Sequence, residues 1–546
     1  MHGLHQVRAR DPSDPIIPKG SAAPKEGAIR AWAYALALIV FGLPIFSPDL
    51  FWHLSVARWI QAHAAIPRQE DFSFTLGGAP WIDFEWMTQI LWYGTERLGG
   101  MWGLWVLKIL LLLAAFLPVD GLLRRREAAP AARAGASALW LAAMLPRADL
   151  RADLISAFFF ACLLKRLEAG RASFLFGFGL FALWANLHGG FLLGFFLYAL
   201  YALSPFLGGE RRPEGLSGEA VGAVLGSFLN PYGFRLYGAI LAHADPVTTR
   251  LIAEWGPLNW HHAFQVPLMG ALAVTAAVLW IGRKTAPRTL AVAATGLCLA
   301  TALSARFGAY FASAAAMAVF TTFPRPRLSF MVGGLAALSL ALVPVLSSAR
   351  LGTAFQDAYV ARRAVEFIAR EGDIFRSLRL FNQYEWGGYL GWRMGESYKI
   401  FGDGRYLFCS QLPEIQKALD SSDGILEMAQ RRHLDGFLIK NERLLLSSTR
   451  VYPDGTRREI PRPWHVFIFP RERWALAYWD DQALLFLDRA KIPTGWLAAH
   501  EYRWLRPGDE RALQDALSRG EVPPPALEDE RARHASEIKP SGFAGF

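Results

Sequence analysis

From Ala31 to Ser348 the chain is a succession of apolar runs separated by short basic interruptions. A helix crossing a hydrocarbon layer of roughly 30 Å needs about 20 mostly apolar residues. Runs that meet or approach this lie near 31–48, 102–120, 131–146, 154–168, 172–186, 190–207, 216–229, 267–282, 288–304, 307–323 and 328–347. Only 19% of the 546 residues are charged while 53% are hydrophobic, against about a quarter charged in soluble domains. The expectation is a polytopic α-helical membrane protein with about eleven transmembrane helices over 31–348. A disordered cytoplasmic N-terminus would precede it (1–30), followed by a soluble α/β domain (349–525) and a charged tail (526–546).

Lys and Arg collect in short cytoplasmic loops. With Lys19, Lys25 and Arg30 inside, every second loop is basic: Arg124 to Arg126, then Lys165, Arg166 and Arg171, then Arg211 and Arg212, then Arg283, Lys284 and Arg288, then Arg325 and Arg327. Eleven crossings from an inside start put the C-terminal domain on the outer face of the membrane, in the periplasm if the cell has one. The net charge of +10 is then a topology signal, not a phosphate-tracking surface, and nucleic acid is not an expected partner.

The unusual polar residues fall in the other set of loops. The first, 49–100, is rich in Trp and carboxylates, and its helical spacing (Leu50, Leu54, Ala57; Trp86, Ile90, Tyr93) predicts amphipathic helices lying along the membrane interface. Asp49 opens it, either as the cap of the helix beginning at Leu50 or as a general base. Asp83 and Glu85, two apart, share a face only in an extended segment; solvated or Arg-paired carboxylates are the plain alternative to a catalytic pair. In RADLRADL a four-residue period puts Arg147 and Arg151 on one helical stripe and Asp149 and Asp153 on another. Two guanidiniums there suit a lipid phosphate, and internal ion pairs compete with that reading. In WANLHGGF a helix breaks between Asn186 and Gly190, leaving His188 at a turn as a structural histidine or a proton donor. Asn230-Pro231 reads as a turn. Arg306 interrupts an apolar stretch and must meet an anion or a buried carboxylate.

Three cysteines with no CxxC pair exclude a disulfide framework and a zinc ribbon. No P-loop, dinucleotide fingerprint, HExxH, GxSxG or EF-hand is present, which removes ATP-driven transport, dehydrogenase chemistry and zinc hydrolysis.

Asp49, Trp52-His53-Leu54, Arg58-Trp59-Ile60, Pro67, Asp71-Phe72-Ser73, Gly78-Ala79-Pro80-Trp81 and Glu85-Trp86 form a first-loop pattern. With Trp184 to Gly190, Asn230 to Gly233, Asn382 to Leu390 and Asp403-Gly404-Arg405, it resembles a set of bacterial GT-C superfamily proteins, polytopic glycosyltransferases that use polyprenyl-phosphate-linked sugars. The resemblance spans about Pro48 to Arg405. It implies an inverting transfer to a glycan, lipid or protein acceptor, with Asp49 activating the acceptor while the lipid phosphate leaves. Arg147, Arg151 and Arg306 would hold the phosphate; Asp83, Glu85, His53 and His188 would line the cleft. Many superfamily members carry two adjacent acidic residues at the first position, where this chain has Pro48-Asp49-Leu50; a divalent cation, Mg or Mn, therefore stays open as a cofactor. His53, one turn beyond Asp49, could orient it or contact the donor. A lipid or polysaccharide transporter and a non-catalytic assembly scaffold are the competing functions.

After Ser348, apolar runs of strand length alternate with helical segments such as 413–432, the pattern of an α/β domain. Asp403-Gly404-Arg405 either contacts a ligand or forms a turn with an internal ion pair.

Overall fold

The computed structural model describes residues 31–538 apart from 32–34, 36, 209–210, 243–251, 253–254, 324–331, 333–351 and 453. The expected disordered N-terminus, almost all of the eleventh expected crossing, and Arg325 and Arg327 lie outside the described residues. The N-terminal half is helical: α1 Asp49–His63, α2 Trp86–Arg125, α3 Pro130–Met144, α4 Asp153–Glu168, α5 Phe174–Leu187, α6 Leu192–Ala202, α7 Leu216–Ser227, α8 Arg235–Ala242, α9 Val266–Ile281, α10 Arg288–Leu303 and α11 Gly308–Thr322.

The expectation of about eleven membrane crossings fails on length. Among the described residues two helices are long and apolar enough to cross a membrane, Trp86–Arg125 and Ala263–Ile281. The α3 helix, with 15 residues, rises about 22 Å at 1.5 Å per residue, short of a layer of roughly 30 Å. The breaks expected after the runs at 172–186 and 288–304 are present. Between α5 and α6 the chain turns extended at His188 (φ −168°), and between α10 and α11 at Ser304 (φ −151°). The α11 helix is buried from Gly308 to Phe320, so its apolarity is that of a core helix with no lipid-facing side. The parity argument that put the C-terminal half outside rested on the count of crossings, and it falls with that count.

Two features of the helical half remain membrane-like. One is polarity along the helix axes: α4 starts at Asp153 and ends at Lys165 and Arg166, and the basic loops meet one another at that far end. Arg126 pairs with Glu168, Arg166 Nε reaches Glu219 Oε2 at 3.1 Å, and Arg288 donates to the Leu207 carbonyl at 3.3 Å. The other is an uncovered stripe on α2, where Trp102, Val106, Leu110, Leu113 and Leu117 are 42% to 64% exposed. Their spacing is one helical face. At Gly100 (φ 57°, ψ −153°) α2 kinks. Only glycine takes up that left-handed backbone readily, and it separates the first-loop segment 86–99 from the long apolar segment that follows.

The C-terminal half is built on a four-stranded mixed sheet of order β1-β2-β6-β5, with β1 Leu380–Asn382, β2 Gly436–Lys440, β5 Trp474–Trp479 and β6 Ala483–Asp488. A separate hairpin pairs β3 Leu445–Val451 with β4 Arg457–Pro463. β1 runs parallel to β2; the other pairs are antiparallel. Side chains alternate between two cores. Phe437, Ile439, Trp474 and Phe486 pack with Ile425 and Met428 on one face, while Leu438, Ala475, Leu485 and Leu487 pack with Val365 and Ile368 on the other. With both faces covered, the strands read as unbroken apolar runs. The helical segment expected at 413–432 is two helices, Leu412–Leu419 and Ser422–Arg432, the second capped by Ser421 Oγ accepting from the Gly424 amide at 3.0 Å.

Two further expectations are corrected. The α1 helix does not lie free along an interface: Leu50, Phe51 and Leu54 belong to the core of the C-terminal half, with the Phe51 ring 4.7 Å from that of Tyr389 and Arg58 stacked 4.4 Å over Trp392. The residues read as a tail form a helix, Pro524–Glu537, anchored by Glu530, which accepts from the amides of Arg503, Trp504 and Leu505 at 2.9, 3.0 and 2.7 Å. The two halves are also joined through the backbone. The first loop pairs with the C-terminal half at Phe72–Phe74 against Ile400, and Ile45 pairs with Phe355.

Candidate functional site

A cavity of about 310 Å³ opens at the end of the helical half away from the basic loops, and Asp49, His53, Asp83, Glu85, Arg147, Arg151, His188 and Arg306 all line it. They arrive from five separate stretches of chain. α1 starts at Asp49, the extended segment before α2 supplies Asp83 and Glu85, and the turn before α4 supplies Arg147 and Arg151. The break after α5 supplies His188, and the turn between α10 and α11 supplies Arg306.

Asp49 does not cap α1: it is the first helical residue, and the preceding Pro48 makes no side-chain cap. Its Oδ2 lies 3.1 Å from Arg151 Nη2 and its Oδ1 accepts from Trp52 Nε1 at 3.4 Å, with the carboxylate 24% exposed to the cavity. Opposite it stands Gly404, where a Cβ would collide with Asp49 Oδ1, so only glycine lets the C-terminal loop close over this carboxylate.

The RADLRADL segment is not the helix its period suggested. Leu145–Arg147 is a single 3₁₀ turn and α4 begins only at Asp153. Arg147 therefore closes on Asp153, with Nε 2.7 Å from Oδ2 and Nη2 on the same oxygen, a buried self-neutralising pair. Asp149 turns to the backbone, where Oδ1 accepts from Phe46 and Leu150 at 3.1 and 2.8 Å. Arg151 is left for Asp49. The guanidinium of Arg306 lies 3.8 Å over the Trp255 ring, which also lines the cavity.

Glu85 sits between two imidazoles, with His53 Nε2 3.7 Å from Oε2 and His188 Nε2 3.6 Å from Oε1. His188 Nδ1 accepts from the Gly190 amide at 3.0 Å and lies 2.7 Å from Ser156 Oγ. An accepting Nδ1 leaves the proton on Nε2, so a neutral ring points an N–H at Glu85. Gly190 is required there, since a Cβ would run into Ser156 and Tyr310. His53 faces Glu85. Burial first, then the charges of Arg151, His188 and Arg405, holds it well below its usual value, so it too is neutral.

Burial, reinforced by the neighbouring Asp83, pushes Glu85 up to about 8, against the smaller opposing pull of Arg306. Burial likewise raises Asp83 to about 7, although Gln89 Nε2 donates to its Oδ1 at 2.6 Å. Both carry protons for much of the neutral range. The cavity wall thus loses negative charge while its guanidiniums keep theirs, an arrangement suited to an anion.

The C-terminal half closes the site with Tyr384, Glu385, Gly404, Arg405, Tyr406 and Cys409. Asp403-Gly404-Arg405 forms the internal ion pair, with Arg405 Nε binding Asp403 at 2.8 Å, and Gly404 and Arg405 also line the cavity. Sequence reasoning missed Glu70, 1% exposed, whose Oε1 receives Arg405 Nη2 at 2.9 Å across 335 residues. It also missed Tyr384 and Glu385, which sit inside the Asn382 to Leu390 stretch that carried part of the resemblance. Asn230 makes the expected turn, its Oδ1 accepting from the Tyr232 amide at 2.8 Å, and that turn sends the Tyr232 hydroxyl to within 3.1 Å of the Asp83 nitrogen.

The site does not present a cation-binding set. The Asp49 oxygens are engaged by Arg151 and Trp52, and Asp83 and Glu85 hold protons near neutrality. Among the described residues no group of three or more His, Cys, Asp and Glu is arranged to hold a metal ion. Compared with known protein families and with curated proteins, the chain matches none.

Proposed function

We propose that the cavity is the active site of an inverting transferase that moves a sugar from a polyprenyl-phosphate carrier to an acceptor at the outer face of a bacterial membrane. The observation that carries this reading is the meeting, in one cavity, of an ion-paired carboxylate (Asp49 with Arg151), a further guanidinium (Arg306) and carboxyl groups raised to about 7 and 8. The uncovered apolar stripe of α2 supports a lipid neighbourhood for it.

The acceptor hydroxyl oxygen attacks the anomeric carbon from the side opposite the phosphate and its proton passes to Asp49. The bond from that carbon to the phosphate oxygen breaks, and its electron pair leaves on the polyprenyl phosphate. Arg151 and Arg306 take up the leaving charge. As Arg151 turns toward phosphate it loosens its hold on Asp49, which frees the carboxylate to accept a proton at the moment one is released. Removing one such charge contact costs about 2–4 kcal/mol of barrier. Protonated Glu85, aligned by His53 and His188, donates to the donor's phosphate or to a sugar hydroxyl.

The runner-up, a non-catalytic lipid-phosphate transporter or scaffold, is favoured by one feature, the mutual neutralisation of Arg147 and Asp153. Incubating the purified protein with radiolabelled polyprenyl-phosphate sugars and a panel of glycan, lipid and protein acceptors separates the two. Transfer of label is expected; retention of lipid with no transfer across the panel would overturn the enzyme reading. The outer-face location is tested by a cysteine introduced at exposed Thr456, which a membrane-impermeant maleimide should label in intact spheroplasts; labelling only after lysis refutes it.

A further inference from the structure

A second cationic site lies in the C-terminal half, away from the cavity. Arg506 is 3% exposed, yet its Nε, Nη1 and Nη2 all lack a hydrogen-bond partner. Its charged neighbours include Arg471, Asp509, Glu501 and Arg462. Both acids are already committed. Asp509 receives Arg462 at 3.0 and 2.6 Å, and Glu501 receives Arg489 Nη1 at 2.9 Å and Arg503 Nε at 3.3 Å. Arg506 and Arg471 are thus in surplus. A guanidinium keeps its proton even when buried, and a buried charge with no partner is strongly unfavourable.

Beside them stands His465, fully buried, with Nε2 3.1 Å from the Pro507 carbonyl. A carbonyl only accepts, so the proton sits on Nε2 and Nδ1 is a lone pair; it too is buried without a partner. Unused donors on Arg506 next to an unused acceptor on His465 match a group that bears both anionic oxygens and a hydroxyl. Arg471 is exposed.

We propose that Arg506, Arg471 and His465 form a binding site for a phosphate group that carries a proton or a neighbouring hydroxyl, as free hydrogen phosphate or as the phosphomonoester of a sugar. The site is independent of the transferase reading and stands or falls without it. Its two sources share one chemistry: oxyanions on the arginine fork, and a hydroxyl donated to His465 Nδ1.

The test is thermal melting of the full-length protein with increasing inorganic phosphate against chloride at equal ionic strength, and in parallel with glucose 1-phosphate. Arg306→Gln serves as a background in which the candidate active site binds phosphate poorly. A saturable rise in Tm is expected in wild type and in Arg306→Gln, with the tighter of the two probes naming the source, and it should vanish in Arg506→Met. Should Arg506→Met fail to fold, the exposed Arg471→Gln is expected to weaken the midpoint at least fivefold. No saturable rise over chloride in wild type, persistence of the rise in folded Arg506→Met, or an unchanged midpoint in Arg471→Gln would each overturn the proposal.

Discussion

Arg151 Nη2 lies 3.1 Å from Asp49 Oδ2, and these two residues, far apart in the chain, meet in the lining of one cavity. In the mechanism proposed above, this pair means that the base is held by a cation that the donor phosphate must draw away. Asp49→Asn keeps the shape and removes the acceptor of the proton. Transfer should fall by about 10²–10⁴-fold, the range for a positioned general base, with Tm little changed. Radiolabel transfer alongside a melting curve checks it, and full turnover by the variant removes Asp49 from the mechanism.

Glu85, raised to about 8, is proton-loaded at neutral pH. As pH climbs through 8 it ionises and places a negative charge against an anionic donor. The KM for donor should rise across that interval, and Glu85→Gln should hold KM flat from pH 7 to 9. A wild-type KM that does not move over the same range contradicts the assignment.

The same two carboxyls bear on stability. Their folded pKa values, about 7 for Asp83 and about 8 for Glu85, lie above the unfolded values near 4. Between those limits the folded state binds more protons than the unfolded state, so stability falls as pH rises, from about 4 up to about 8, and is level beyond. Denaturation melts at pH 5 and pH 8 should show this loss, and Asp83→Asn with Glu85→Gln should flatten it.

What the sequence revealed of the site and what it hid have different physical causes. Asp49, Asp83, Glu85, His188 and Arg306 stood out because a charge or an imidazole beside an apolar run is costly and must have a reason. The Glu70–Arg405 contact left no local trace, since its partners are 335 residues apart. The count of crossings failed for a third reason: hydropathy measures apolar residues, whereas spanning needs helices of sufficient length, and short helices such as α3 and α11 owe their apolarity to burial within the protein. The four-residue period of RADLRADL was real in the sequence and absent from the fold, because Arg147–Asp153 and Arg151–Asp49 are stronger organisers than helix spacing.

Gly404→Ala should damage activity without unfolding the chain. The added Cβ meets the Asp49 carboxylate, which Arg151 and Trp52 hold in place. A displacement of about 1 Å at a reacting group costs on the order of 10²-fold. Wild-type turnover by a well-folded Gly404→Ala would show that Asp49 tolerates movement.

Arg147 and Asp153 are 4% and 6% exposed and bound to one another. Arg147→Met strands a buried carboxylate and should destabilise by about 3–5 kcal/mol. Adding Asp153→Leu should recover most of that loss, measurable as a return of Tm in the double variant. Equal melting of the single variant and wild type would mean the pair is solvated.

Since Tyr384, Gly404, Arg405 and Tyr406 wall the same space as Asp49, the pocket has no existence until the ribosome has released more than 350 residues beyond that aspartate. In a chain ending before Tyr384, Asp49 would lack the wall that covers it. Packing of the C-terminal half against α1 is therefore what completes the space around Asp49.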